Sequence, residues 1–401
     1  MTAAPFWPRR SPAFLRARRA VRGVLVLDDG PRASSPPPTR VVVGLSGGAD
    51  SLALTAACAA EIPGGVHAVV VDHGLQEGSA DVAERAAALA RGFGATAEVI
   101  RVDVPGGIDG AGEGPEAAAR AARHSALHRV AGDRGAPLLL AHTLDDQAET
   151  VLLGLARGAG TGALSGMAAD RTWDDGVRVM RPFLFSGFSG SAGSAGGPLR
   201  RADTEAACAE LGVEPWHDPH NADPRYARVR ARASVLPMME ELLGPGVAAN
   251  LARTADLVRS DAAALDEWAD RVLADAVSAT GPTADGTGGV GELSVGVVVT
   301  QPDAVRTRTL KKWAEANGAS ALTAAHVAAL DKLVVGHRGL GPVALPSAET
   351  PDQPGCRLEA HRKGGTLAVS RGSPGPAAKR PRNDPQEATA GAPGRKGRPH
   401  A

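Results

Sequence analysis

The stretch that decides the fold is an apolar run that ends in a glycine-rich hexapeptide: Val41-Val42-Val43-Gly44-Leu45-Ser46-Gly47-Gly48-Ala49-Asp50-Ser51. The alanine- and leucine-rich residues that follow predict a helix, so the pattern is that of a buried strand, a loop and a helix N-terminus. Paired glycines let the backbone approach an anion, and the N–H groups of the first helical turn attract it. Asp50 would repel a phosphate unless both share a divalent cation. The stretch therefore predicts a nucleotide-phosphate site; the alternative is a glycine-rich turn in an ordinary strand-to-helix connection.

Length and composition limit the kind of protein. The chain has 401 residues, too many for one compact core, and its formal net charge is zero. Nucleic-acid binding would therefore need a local basic patch. No apolar run approaches the length that crosses a bilayer, so we expect a cytoplasmic protein without a membrane partner. The three cysteines, Cys58, Cys208 and Cys356, form no C-x-x-C pair, which argues against a disulfide framework or a zinc site.

Strands alternate with helices from residue 40 onward. Apolar runs at 41–45, 66–71, 97–102, 138–141 and 177–181 predict a parallel sheet covered on both faces, a doubly wound α/β fold. Ligands of such sheets bind outside the carboxyl ends of the strands. Polar groups follow three of these strands: the hexapeptide, Asp72-His73, and residues 142–149. We expect the three strand ends to form one crevice.

The remaining segments suggest five regions. Residues 1–38, rich in arginine and proline, are expected to be a poorly ordered extension, in which residues 13–27 form at most one short helix or strand; an organelle transit peptide is the alternative. The α/β domain spans 39–232, and a helical segment with its linker spans 233–290. A small α+β module is expected at 291–371 and a disordered basic tail at 372–401. The glycine- and serine-rich residues 186–197 predict a flexible surface loop.

Three carboxylates open the helix that follows the fourth strand. Helical spacing places Asp145 and Asp146 each on the face shared with Glu149. Clustered carboxylates beside a triphosphate usually hold magnesium, which favours metal or catalytic roles for Asp146 and Glu149. The alternative is a capping cluster that the helix dipole stabilises. Asp145 fits either reading and could orient its neighbours.

Two groups of arginines are candidates for phosphate contacts. Arg120 shares a helix face with Glu116 and Arg123. It could reach into the crevice to neutralise phosphate charge, although a solvated ion pair with Glu116 explains the same spacing. A second cluster contains Arg225, Tyr226, Arg228, Arg230 and Arg232. It could grip a nucleic-acid backbone with the tyrosine available for stacking, or it could form a solvated face.

Taken in order, these motifs resemble those of the tRNA(Ile)-lysidine synthetases, and the hexapeptide resembles the signature loop of the N-type ATP pyrophosphatases. The other matching pieces are Asp72-His73-Gly74-Leu75, Glu116-x-x-x-Arg120-x-x-Arg123, His142-x-x-Asp145-Asp146-x-x-Glu149-Thr150, Arg157-Gly158 to Gly166-Met167, Arg181-Pro182-Phe183-Leu184, and residues 218–237. The likeness covers about 39–260 and continues more loosely over 295–370. Two departures are His124, where the family usually has tyrosine, and Val229, where it commonly has asparagine.

The resemblance implies a specific reaction. The enzyme would bind isoleucine tRNA with a CAU anticodon, and ATP would adenylate the C2 oxygen of the wobble cytidine with loss of pyrophosphate. The ε-amine of L-lysine would then attack C2 and expel AMP, which changes codon recognition from AUG to AUA.

The resemblance also implies roles for particular residues. The ATP loop would be Ser46, Gly47, Gly48, Ala49, Asp50 and Ser51. The catalytic groups would be Asp50, Arg120, Asp146 and Glu149, with Mg²⁺ on Asp50, Asp146 and Glu149. Contacts with tRNA would come from Arg228, Arg230 and Arg232. A homodimer is left open.

Two rival functions are considered. A tRNA thiolase of the same superfamily generally needs paired cysteines for sulfur transfer or an iron–sulfur cluster, and the three cysteines here are isolated. A nucleotide-binding regulatory module without catalysis would have no use for the carboxylate cluster or for the large C-terminal extension.

Overall fold

The computed structural model describes residues 7–8, 10–26, 38–74, 78–102, 115–158, 160–173, 175–184, 197–218, 222–280, 291–336, 341–347 and 357–372. These residues belong to two compact units, Met1–Ala262 and Ala263–Ala401. The predicted surface loop at 186–196, the linker at 281–290 and the basic tail from 373 lie outside the described residues. None of the described helices is both long and apolar enough to span a bilayer.

The first unit is built on a six-stranded sheet in the order β3-β2-β1-β4-β6-β5. Its strands are β1 (Val41–Gly44), β2 (Val66–Asp72), β3 (Thr96–Arg101), β4 (Leu138–Leu139), β5 (Asp170–Thr172) and β6 (Arg178–Met180). All neighbours pair in parallel except β5, which forms an unpredicted antiparallel hairpin with β6. Since β2 and β4 flank β1 on opposite sides, the strand order reverses at β1, and a crevice is expected at its carboxyl end.

The central strand is buried on both faces. Val41 and Val43 pack into one core cluster with Leu52 and Leu54, whereas Val42 packs into the other with Leu127 and Leu138. Successive side chains of a strand point to opposite faces, so this split shows that helices cover both sides of the sheet. The predicted doubly wound α/β fold is therefore confirmed.

Helices cover both faces of this sheet, and further helices follow its last strand along the chain. They are α1 (Pro12–Val26), α2 (Ala49–Glu61), α3 (Ser79–Gly92), α4 (Pro115–Arg134), α5 (Leu144–Ala156), α6 (Thr161–Leu164), α7 (Arg201–Leu211), α8 (Ala227–Arg230) and α9 (Leu236–Leu243). Pro182–Leu184 is a 3-10 turn, and Ala231–Val235 is a π-helical turn between α8 and α9. The long α10 (Val247–Ser278) begins in the first unit and ends in the second.

The N-terminal segment differs from the expected poorly ordered extension, because α1 is an integral part of the first core. Its apolar residues Phe14, Ala17, Val21, Val24 and Leu25 follow helical spacing and are almost fully buried. Polar contacts fix the same helix to the residues beside it. The Glu210 carboxylate on α7 accepts the Ala13 and Phe14 N–H groups, and Glu61 at the end of α2 accepts from Arg18 and Arg22. The arginines that suggested disorder are thus the outer face of an amphipathic helix.

The second unit contains a four-stranded antiparallel sheet in the order β7-β10-β9-β8. Its elements are β7 (Leu293–Ser294), α11 (Val295–Val298), α12 (Asp303–Ala316), α13 (Ala324–Val335), β8 (Val343–Leu345), β9 (Arg357–Lys363) and β10 (Thr366–Gly372). Trp313, Leu310 and Leu330 are fully buried between the helices and the sheet, and the Trp313 indole N–H donates to the Gly291 carbonyl at 3.0 Å. This confirms the predicted small α+β module.

Candidate functional site

The glycine-rich loop forms a tight turn between β1 and α2. Gly47 has φ +83°, a left-handed conformation that favours glycine, and a Cβ there would lie 3.3 Å from that of Ala86. The Ser46 N–H donates to Ser51 Oγ at 3.1 Å, and Ser51 Oγ donates to the Gly48 carbonyl at 3.0 Å. The N-cap residue of α2 is Gly48, which has no side chain, and its N–H lies 3.4 Å from Ser46 Oγ. The loop therefore offers a helix N-terminus to an anion, as the sequence predicted.

Carboxylates from two strand ends face each other beside this loop. Asp50 is in the first turn of α2, which follows β1, and Asp146 is in the first turn of α5, which follows β4. The guanidinium of Arg201, at the start of α7, joins them: its Nε lies 3.4 Å from Asp50 Oδ2 and its Nη2 lies 3.0 Å from Asp146 Oδ1. The predicted meeting of these two strand ends is thus present, but an arginine that sequence reasoning missed stands between the two acids.

The pKa of Asp50 departs from the ordinary carboxyl value. Burial raises its pKa to about 6, against the opposing effects of a hydrogen bond from the Thr204 hydroxyl and the charge of Arg201. Thr204 is fully buried, and its hydroxyl also contacts the Arg201 carbonyl, at 2.7 Å. Helix α7 therefore supplies both the cation and the hydroxyl that hold this carboxylate.

Asp50, Asp146 and Glu149 form an acidic group, and Glu149 is its buried end. Its side chain has no exposed surface, and it accepts from Arg232 Nε at 2.6 Å and Arg232 Nη2 at 3.1 Å. Arg228 Nε lies 3.5 Å from the same carboxylate. Burial raises the pKa of Glu149, although the hydrogen bond and charge of Arg232 oppose this. The pair is a bidentate arginine–carboxylate contact inside the protein.

Asp145 and Asp146 combine structural and site contacts. One Asp146 oxygen accepts the Thr143 N–H at 2.8 Å and so caps α5, while the other faces Arg201. Burial acts to raise the pKa of Asp146, but Arg201, His142 and the Thr143 N–H together lower it. Asp145 accepts the backbone N–H of Arg201 at 2.8 Å and thereby fixes the start of α7. The capping role considered for this cluster is therefore present, alongside the contacts with Arg201.

The three acids predicted to hold a metal ion face arginines in this structure. Among the residues that the structure describes, no group of three His, Cys, Asp or Glu side chains is placed to hold one. The oxygens of Asp50, Asp146 and Glu149 instead face the guanidinium groups of Arg201 and Arg232. Magnesium, which requires close oxygen ligands, would have to displace at least one of these contacts.

The three arginines predicted to contact tRNA lie in different places. Arg228 and Arg232 point toward Glu149 in the acidic group, and Arg228 also donates to the Thr150 hydroxyl at 3.1 Å. Arg230 is exposed and donates to the carbonyls of Pro224 and Arg225, both at 2.7 Å. Of the three, only Arg230 is exposed, and it contacts the loop that precedes α8.

A basic group of residues lies next to the acidic one; it contains Arg120, Arg123, His124, His142 and Arg181. Arg181 Nε donates to His142 Nδ1 at 3.2 Å, and burial together with the charges of Arg120 and Arg171 lowers the pKa of Arg181 to about 10. Burial and the charges of Arg123 and Arg120 lower the pKa of His124 to about 4. The pKa of His142 is lowered by burial and by Arg181. Both histidines are therefore neutral near pH 7, and the positive charge belongs to the arginines.

The end of β2 also reaches this basic group. The pKa of His73 is lowered by burial and then by the charge of Arg123, and its Nδ1 atom is buried without a hydrogen-bond partner among the described residues. Asp72 turns back on its own loop and accepts the Gly74 N–H at 2.9 Å. Of this strand end, the histidine rather than the aspartate lies beside the basic group.

Sequence reasoning missed Arg201 and Thr204, and only a weak signal points to them. Arg200 and Arg201 open α7, where the helix dipole disfavours cations. Such a pair implies acidic partners elsewhere, but nothing in the sequence says which ones. The partners of Arg201 are 151 and 55 residues away along the chain.

Comparison with known proteins finds similarity over most of the chain. Residues 31–239 match the PP-loop domain family, and residues 293–367 match the TilS substrate binding domain family. The chain is 45% identical over 361 residues to a tRNA(Ile)-lysidine synthase from Rhodococcus erythropolis, covering 90% of this chain and 96% of that protein. It is 48% identical over 343 residues to one from Salinispora tropica, covering 84% and 92%.

A comparison of structures finds weaker similarity. A U34-tRNA thiolase from Methanococcus maripaludis matches with a TM-score of 0.48 at 18% identity, over 62% of this chain and 80% of that one, which is too distant to inform function. The two domain matches and the relatives, by contrast, extend over most of the sequence. The chain belongs to the tRNA(Ile)-lysidine synthase family.

Proposed function

We propose that this protein ligates L-lysine to C2 of the wobble cytidine in isoleucine tRNA with a CAU anticodon, through an adenylated cytidine. The observation that carries the proposal is the joining of Asp50 and Asp146 by Arg201 beside the glycine-rich loop, next to the basic group that contains Arg181. Acidic and basic groups are thus adjacent at the carboxyl ends of the parallel strands. Such a site suits a reaction that joins a polyanionic nucleotide and a cationic amine.

The first step would be adenylation of the cytidine oxygen. The N-terminus of α2 and the hydroxyls of Ser46 and Ser51 would hold the ATP phosphates. The pKa of Arg123 is lowered by burial and then by the charges of Arg120 and Arg228, so positive charges lie close together here. Arg120 and Arg123 would stabilise the charge that develops on the phosphates. The leaving group of the following step would then be AMP rather than hydroxide.

The second step would be attack by the lysine ε-amine. The ammonium form is no nucleophile, so a base must take its proton. Asp50 is the candidate base, because its raised pKa makes it a stronger base than an ordinary carboxylate and its side chain is partly exposed. The negative charge of the acidic group would also attract the lysine side chain to the crevice.

ATP would enter with Mg²⁺, for which Asp50, Asp146 and Glu149 are the proposed ligands. In the present arrangement their oxygens face arginines, so the metal would have to displace at least one of these contacts. Glu149 is the least suited of the three, because both of its oxygens are held by Arg232 in a fully buried pair.

The tRNA would contact the basic surface near Arg230 and the second unit. We propose the division 39–232 for catalysis, 233–290 as a helical connection, 291–371 for tRNA binding and 372–401 as a basic tail. A cytoplasmic location follows from the tRNA substrate. A homodimer stays a prediction, which light scattering of the purified protein would check.

The thiolase alternative has little support among the described cysteines. Burial raises the pKa of Cys58 well above the ordinary thiol value and that of Cys208 to about 12, so both are protonated and unreactive near neutrality. Cys356 lies outside the described residues.

The decisive experiment is incorporation of radiolabelled L-lysine into tRNA. Labelling is expected with ATP and the CAU-anticodon transcript, and not with a GAU-anticodon isoleucine transcript or without ATP. Asp50→Asn should abolish pyrophosphate release while leaving the circular dichroism spectrum unchanged. Labelling of neither transcript, or normal turnover by Asp50→Asn, would contradict the proposal.

A further inference from the structure

We propose that Arg201 is a resident counter-ion, which occupies the place of a divalent cation between Asp50 and Asp146 and competes with that cation for the two carboxylates. The inference rests on the proposed function, because it concerns the metal that accompanies ATP. It adds a residue that neither the sequence motifs nor the reaction itself brings forward.

The geometry of Arg201 is that of a bridge. One guanidinium contacts acids from two separate strand ends, with N···O distances of 3.4 Å to Asp50 and 3.0 Å to Asp146. A metal shared by these acids would need the same oxygens at about 2.0–2.1 Å. The two cations therefore exclude each other by contact as well as by charge repulsion.

Two hydrogen bonds fix the start of α7 and thereby place Arg201 between Asp50 and Asp146. The Arg201 N–H donates to Asp145 at 2.8 Å, and the Thr204 hydroxyl donates to Asp50. These contacts use the backbone of Arg201 and the side chain of Thr204, so the Arg201 guanidinium could change partners while the start of α7 stays in place. A guanidinium is also well suited to a phosphate partner once it leaves the carboxylates.

The neighbouring ion pair of Glu149 and Arg232 cannot exchange partners in the same way. Glu149 has no exposed surface, so loss of Arg232 would leave a buried charge uncompensated. Asp50 and Asp146 keep 23% and 14% of their side-chain surface exposed, and Arg201 keeps 24%. Water can therefore reach the Arg201 bridge during an exchange of partners.

The test measures Mn²⁺ binding by electron paramagnetic resonance, without nucleotide, tRNA or lysine. Arg201→Gln is expected to bind Mn²⁺ at least about tenfold more tightly than the wild type, because both carboxylates lose their competitor. Arg201→Lys, which keeps the charge but cannot bridge two acids as a planar fork, should lie between them. The gain should vanish in the double variant Arg201→Gln/Asp50→Asn.

Arg200→Gln is the matched control, because it removes the same charge from the adjacent position. Arg200 Nη2 lies 3.7 Å from Glu240 Oε1, so its side chain faces a different carboxylate, and the Mn²⁺ affinity of Arg200→Gln should equal that of the wild type. Unchanged Mn²⁺ affinity in folded Arg201→Gln, or in Arg201→Lys if the glutamine variant does not fold, would overturn the inference. Failure of lysine incorporation would overturn the proposed function instead, since neither tRNA nor lysine enters this measurement.

Discussion

Replacing Asp50 with asparagine should change how stability depends on pH. The folded-state pKa of Asp50 is raised from 3.8 to about 6, chiefly by burial. A raised carboxyl pKa means that the folded protein favours the protonated form. Its contribution to stability is therefore fully present below pH 3.8 and is lost as pH rises through about 6.

The size of the effect follows from the same shift. At 1.36 kcal/mol per pKa unit, a change from 3.8 to about 6 corresponds to about 3 kcal/mol. Asparagine does not titrate, so the variant lacks this loss. Relative to the wild type, Asp50→Asn should gain about 2.5 kcal/mol of this total in unfolding free energy between pH 4 and pH 7, on top of any pH-independent offset.

Urea unfolding of both proteins between pH 4 and pH 8 measures this difference. Asp81→Asn is the control, because Asp81 is an exposed acid in the first turn of α3 and its removal makes the same charge change at a solvated position. A wild-type minus Asp50→Asn difference that stays flat across the whole pH range would refute the argument. So would a difference of the opposite sign.

Three further predictions concern the cores and the buried ion pair. Glu149→Gln should cost about 3–5 kcal/mol of unfolding free energy in urea, because it leaves Arg232 without its buried partner; removing both charges together should cost less. Phe14→Ala should cost about 3–5 kcal/mol by opening a cavity beneath α1, whereas Leu15→Ala, at a position 38% exposed, should cost much less in the same urea titration. Trp313→Ala should destabilise the second unit by about 3–5 kcal/mol in calorimetry and weaken tRNA binding, while ATP binding measured by calorimetric titration stays unchanged. Loss of ATP binding in that variant would contradict the assignment of the nucleotide to the first unit.

The central strand, the loop and α5 were predictable because each is encoded locally. An apolar run, paired glycines and an acidic helix start are adjacent in sequence, and the rule for parallel sheets then places their ends together. The small α+β module was predictable for a similar reason, since its helices and strands have regular apolar spacing.

What could not be predicted depends on contacts between distant segments. The apolar stripe of α1 was obscured by arginines that turned out to pair with Glu61 and Asp203. The partners of Arg201 come from α2 and α5, so no local pattern around residue 201 identifies them. Arg228, Arg230 and Arg232 looked equivalent in sequence, but the backbone through α8 and the π-helical turn directs two inward and one outward.

The position of α1 has a practical consequence for anyone who shortens the chain. A protein started at the glycine-rich strand would lose the helix that covers parts of α2 and α7, and Phe93 would lose the tryptophan ring that lies 6.2 Å away. The uncovered apolar surface would favour aggregation, and it belongs to the same two helices that present Asp50 and Arg201. Poor yield or lost activity of such a truncated protein would then reflect an exposed hydrophobic core rather than a defect in the catalytic residues.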